Sequence, residues 1–88
     1  MDQIDVMYDE HETTATRFVG FVGQCSRFDL AITTTQHFYG KRLVICLQTE
    51  RSAILSADES EDPAYLADAF RVSLEEAKEM SEFLSANL

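Results

Sequence analysis

His11, Cys25, His37 and Cys46 carry the side chains of a Cys₂His₂ zinc site, because two thiolates and two imidazoles complete a tetrahedral shell. Such sites draw their ligands from close pairs, whereas these four residues are separated by 14, 12 and 9 positions. The spacing argues against zinc, and no metal is expected. Cys25 with His37 and Asp29 has the composition of a thiol nucleophile, a base and an orienting acid. Neither a helix N-terminus nor a basic pocket is evident to activate the thiol, so Cys25 reads as a small buried hydrophobe. Asp58, Ser60 and Asp62 follow the one-three-five spacing of a calcium loop, but the sixth position is Pro63 and the twelfth is Ala69. The loop lacks the glycine for its sharp turn and the bidentate glutamate that closes the shell. No catalytic residue and no cofactor are assigned, and binding rather than catalysis is the expected mode of action.

One further pattern could do chemistry. Arg17, Arg27, Lys41, Arg42 and Arg51 interleave with Phe18, Phe28, Phe38 and Tyr39, the combination with which a sheet holds phosphates and stacks bases. The net charge of -9 opposes a polyanion at long range. That charge is segregated: residues 1–16 hold five acids and no Lys or Arg, residues 17–57 five bases against two acids, and residues 58–88 nine acids against two bases. The basic zone, with Tyr39, is a ligand or partner surface of two possible uses. It can serve nucleic acid or nucleotide, or it can receive acidic segments of this chain or a neighbour as complementary charge.

The elements that would position these residues fall within a single domain, since 88 residues hold only one core. Residues 14–57 are rich in Val, Ile, Phe and Thr and read as strands: Thr14–Val22, Arg27–Gln36, Lys41–Gln48 and Ser52–Ala57. Gly40 supplies the positive φ of a tight connection. The connections are too short for parallel crossovers, which makes the sheet an antiparallel meander of four strands, or five if residues 1–13 add an edge strand rather than an arm. Residues 58–88 read as an acidic loop and two short helices packed on one face of the sheet. Asp62 before Pro63 starts the first helix, and the capping-box pattern Ser73-Leu74-Glu75-Glu76 starts the second. On that second helix Leu74, Ala77, Met80, Phe83, Leu84 and Leu88 share one half of the circumference. The fold class is α+β.

Arg17-Phe18-Val19, Arg27-Phe28-Asp29-Leu30-Ala31, Tyr39-Gly40-Lys41 and Pro63-Ala64-Tyr65-Leu66 to Ala69-Phe70 carry, in this order and spacing, a resemblance. They resemble a bacterial family called domain of unknown function three-thousand-and-fifty-five, short acidic cytosolic proteins of Gram-positive species. The resemblance spans Thr14 to Leu84 and implies no activity, cofactor or residue role.

The first strand is apolar on both sides, with Phe18 and Val22 on one face and Val19 and Phe21 on the other. A single helical layer shelters only one face. Val19 and Phe21 are therefore the expected oligomer interface, with a dimer the first assembly to expect because two-fold symmetry is commonest. The opening Met1-Asp2-Gln3-Ile4-Asp5 has neither the basic nor the apolar region of a secretory signal, and no run approaches the roughly 18 apolar residues of a membrane span. A cytoplasmic homo-oligomeric interaction or regulatory module, with a protein partner and no membrane, is the leading expectation, and a nucleic-acid binder the alternative.

Overall fold

A computed structural model of the chain describes residues 3–24 and 26–88. Four strands, β1 (Ala15–Val22), β2 (Arg27–Thr34), β3 (Arg42–Cys46) and β4 (Arg51–Leu55), are followed by α1 (Ala57–Ser60), α2 (Pro63–Phe70) and α3 (Leu74–Asn87). The strands pair antiparallel in sequence order, as the short connections require. The expected meander holds, and no fifth strand forms among the described residues: residues 3–14 are an arm without regular pairing.

Turn chemistry sets the register. Tyr39 (φ 53°) and Gly40 (φ 88°) both take positive φ, and the Lys41 N–H donates to the Phe38 carbonyl at 3.0 Å. Two successive positive φ values give the connection the twist of the flanking strands, which explains why a bulky tyrosine tolerates the left-handed region there. The resulting register aligns Leu30 with Val19 and Cys46, and Ile32 with Val44.

The segment after β4 departs from expectation. Residues 57–60 form a helical turn instead of the end of a strand and a loop. The cause is a second capping box. Ser56 Oγ accepts from the Glu59 N–H at 3.2 Å, and the Glu59 carboxylate accepts from the Ser56 N–H at 2.9 Å. Ser60 is buried, and its carbonyl accepts from Ser81 Oγ at 2.8 Å, tying α1 to α3. The two expected helix starts are as read: Asp62 accepts from the Tyr65 N–H, and Ser73 and Glu76 cap reciprocally.

The core lies between one sheet face and the helices. Phe28, Leu30, Ile32, Val44, Cys46 and Leu55 meet Leu66 and Phe70 of α2 and Ala77, Met80 and Leu84 of α3. At 100° per residue the last three fall on one stripe of α3, and only Leu74 of the expected apolar face stays outside, 47% exposed. No helix among the described residues is long and apolar enough to cross a membrane.

Candidate functional site

The sheet has two unlike faces. Val19 and Phe21 pair with Leu30 and Phe28 and turn toward the helices. Phe21 is stacked between Phe28 (ring centroids 5.0 Å apart) and Phe83 of α3 (4.4 Å). The two faces of β1 are divided as the alternation requires, but the covered and uncovered faces are exchanged relative to expectation. Val19 and Phe21 are half-buried under their own chain, while Phe18 and Val22 stand 78% and 80% exposed. The reason is the length of α3, whose Phe83 reaches the edge strand.

On the opposite face no helix lies among the described residues. Cross-strand pairing sets Thr16, Thr33, Leu43 and Ile54 in one row and Phe18, Ala31, Ile45 and Ser52 in the next. Thr16 and Thr33 join hydroxyls at 2.9 Å, which satisfies their polar atoms locally. Ala31 is buried among its row neighbours, Leu43 and Ile45 are half-buried, and Phe18 and Ile54 are open. At the far end Asp29 accepts from Gln48 Nε2 at 2.6 Å and pairs with Arg27 at 3.2 Å, and its N–H donates to Gln48 Oε1 at 2.9 Å. The open face is thus an apolar centre with a closed polar network at one end. Leu43, Ile45 and Ile54 were not marked as surface residues by the alternation. The signal was present, since Leu43 and Ile45 oppose Val44 and Cys46 and make β3 apolar on both sides, like β1.

The basic residues do not form one surface. Arg17, Arg42 and Arg51 have the parity of the helix-facing side, where Arg17 donates to the carbonyl and amide oxygens of Asn87 (3.5 and 3.4 Å) at the end of α3. Arg27 lies on the open face and is paired by Asp29. Lys41 contacts Glu59 at 3.4 Å. Tyr39 stands fully exposed at the tip of its turn.

The thiol and metal constellations are dispersed. Cys25 lies outside the described residues. Asp29 and His37 sit at opposite ends of β2, and Cys46 is buried in the core at the end of β3 farthest from His37. Asp58 and Ser60 fall in α1, while Asp62 caps α2, so the calcium-loop spacing encodes helix ends. Among the described residues no three His, Cys, Asp or Glu side chains are grouped as metal ligands.

His37 instead anchors the arm. Its Nε2 lies 2.8 Å from Glu12 Oε1 and its Nδ1 3.6 Å from Glu10. Glu12 also accepts from the Gln36 N–H at 3.0 Å and from the Thr35 hydroxyl at 2.8 Å. The Gln36 N–H, then the Thr35 hydroxyl, hold the Glu12 carboxyl below its ordinary value against a smaller opposing effect of burial, with the nearby His37 adding to the lowering. A groove of about 780 Å³ between the β1–β2 turn and α3, lined by Phe21, Gln24, Glu79 and Phe83, is crossed by the hydrogen bond from the Gln24 N–H to Glu79 at 2.6 Å.

No curated protein matches the chain. The description of one family does: residues 7–86, nearly all of β1 to α3 and the anchored part of the arm, match the SAV0927-like family. The chain belongs to the SAV0927-like family.

Proposed function

We propose that this protein is a non-catalytic cytoplasmic interaction module, of the short acidic Gram-positive type, that works as a homo-oligomer, a dimer first, through its open sheet face. The observation that carries the reading is the apolar centre of that face, where Phe18 is 78% exposed and Leu43, Ile45 and Ile54 lie beside it with no helix above them. Fully burying a large apolar side chain contributes roughly 1.5–3 kcal/mol, and with Phe18 open, Ile54 37% exposed and Leu43 and Ile45 already half-buried, the gain still to be made is roughly 2–5 kcal/mol per copy, or about 5–9 kcal/mol for a two-fold pair. That is the scale needed to offset the roughly 4–15 kcal/mol cost of association. The acidic helices then point outward, available to a protein partner.

Nucleic acid fits this surface less well. The open face holds one Arg, already paired by Asp29, and the remaining basic residues lie elsewhere. Light scattering behind a sizing column tests the reading. The expected mass is a multiple of 10.0 kDa, and Ile45→Lys is expected to return it to that of one chain. A single-chain mass for the unaltered protein at micromolar concentration overturns it.

A further inference from the structure

We propose that β1 of a second copy adds antiparallel to the free edge of β1, joining two four-stranded sheets into one. The joint uses a surface other than the open face and goes beyond the self-association read from that face.

The directions of the backbone hydrogen bonds carry it. β1 stands at one end of the strand order and pairs with β2 alone. The Gly23 N–H donates to the Ser26 carbonyl at 2.9 Å, one step beyond the pair of Val22 with Arg27. Directly bonded pairs alternate along an antiparallel ladder, so they recur at Phe21, Val19, Arg17 and Ala15. The Leu47 N–H, donating to the Asp29 carbonyl at 2.9 Å, gives the same parity from the other side. Odd-numbered residues of β2 bond to β3, and even-numbered ones to the odd-numbered residues of β1. Thr16, Phe18, Gly20 and Val22 therefore turn their N–H and C=O groups outward, where no described residue bonds them. β1 also lacks the usual protections of an edge. Over eight residues it has no proline and no break in register, and its one charge, Arg17, is turned to the helix side and bonded to Asn87.

Those outward groups are self-complementary in one register. A two-fold axis through Val19 pairs Thr16 with Val22 and Phe18 with Gly20 of the second copy, which uses all four outward residues of each strand in roughly eight hydrogen bonds. An axis through Phe18 or Gly20 leaves Val22 or Thr16 without a partner in β1. The chosen register sets the exposed Phe18 ring beside Gly20, whose side-chain position is neighboured by Asp29 Oδ1 from the β2 side and open toward the edge. An aromatic ring covers the backbone that a cross-strand glycine leaves bare. On the helix side Val19 meets Val19 at the axis, and Arg17 of one copy lies opposite Phe21 of the other. The groove of about 780 Å³ between β1 and α3 opens there with Glu82 and Ala86 in its wall, so an entering arginine meets an acid.

The edge axis stands perpendicular to the sheet and a face-to-face axis lies in its plane, so one assembly accommodates both joints. Two face-joined pairs make the edge joint twice, which renders it tighter than between single chains.

Amide hydrogen exchange read by NMR over a range of concentrations, with sedimentation of the same samples, tests the joint. The amides of Thr16, Phe18, Gly20 and Val22 are expected to slow at least about tenfold as the full chain associates, while those of Arg17, Val19 and Phe21 are protected throughout. Val22→Pro and Thr16→Pro each remove an outward N–H without touching the β1–β2 ladder. Each is expected to abolish the slowing while circular dichroism shows the fold kept. In Ile45→Lys, two strands from the edge, the slowing persists but needs a higher concentration. A chain that associates with the four amides still exchanging freely overturns the edge joint and leaves the open face standing. Slowing that is unchanged in Ile45→Lys keeps the edge and overturns association through the face. Slow exchange at the four amides in a monomeric chain overturns the joint, and a chain monomeric up to about millimolar concentration overturns both readings.

Discussion

Phe21 of β1 lies nearly parallel to Phe83 of α3, ring centroids 4.4 Å apart and planes 14° from coplanar. Continued by Phe28 on the other side of Phe21, the contact joins the edge strand to the last helix and to the core. It decides which face of the sheet stays open, because it commits the odd-numbered side chains of β1 to the helix layer.

Phe83→Ala is accordingly expected to destabilise the chain by about 3 kcal/mol, through lost burial and a partly relaxed cavity. Phe18→Ala, on the other side of the same strand, is expected to change monomer stability by under about 0.5 kcal/mol while weakening association. Urea unfolding at low protein concentration, combined with sedimentation, separates the two effects. Equal losses in monomer stability would contradict the assignment of faces.

Glu12, Glu59 and Glu76 predict the acid response. Each accepts a backbone N–H, from Gln36, Ser56 and Ser73, and each carboxyl is held below its ordinary value of 4.5 mainly by that bond. Unfolding breaks these bonds, so the unfolded chain binds protons more readily than the folded one. The stabilisation is full above pH 4.5 and is lost as pH falls through the lowered folded values. Thermal midpoints measured from neutrality to about pH 3 should fall over that window, and Ser73→Ala should make the fall shallower by removing the hydroxyl bond at Glu76.

Loss of the imidazole at His37 should free the arm while sparing the core. His37→Ala is expected to speed cleavage after Glu10 and Glu12 by a glutamate-specific protease and to shift unfolding by under about 0.5 kcal/mol, as an exposed pair contributes little. Unchanged cleavage would show that Thr35 and Gln36 suffice as the anchor.

Tyr39 occupies the left-handed region with φ 53° and makes its turn at a steric cost. Tyr39→Gly is expected to raise stability by about 0.5–1 kcal/mol in thermal or urea unfolding, because relief of that cost exceeds the added freedom of the unfolded chain. A loss of stability would show that the exposed ring contributes to the fold.

The sheet order, the caps at Asp62 and Ser73 and the stripe of α3 were legible in the sequence because each is a local signal, a period or a spacing of one helical turn. The cap at Ser56 was missed because Ser52–Ala57 also alternates like a strand, and the reciprocal bonds between Ser56 and Glu59 outcompeted that alternation. Both faces of β1 were recognised as apolar. Which one a helix covers depends on how far α3 runs across the sheet, a tertiary relationship that no window around Val19 or Phe21 contains. The dispersal of the basic residues has the same origin: Arg17 is drawn to the end of α3 by Asn87, seventy positions away.

The sequence-order meander also governs how the chain is made. Every strand pairs with the one synthesised just before it, so hairpins can close while translation continues. Phe28, Leu30 and Val44, however, wait for Met80 and Leu84 before their side of the sheet is dry. At roughly 5–20 residues per second, the interval between the end of β4 and the end of α3 leaves that surface wet for a few seconds on the ribosome. During this interval, before the helices arrive, the nascent sheet has oil on both sides and is most prone to aggregate.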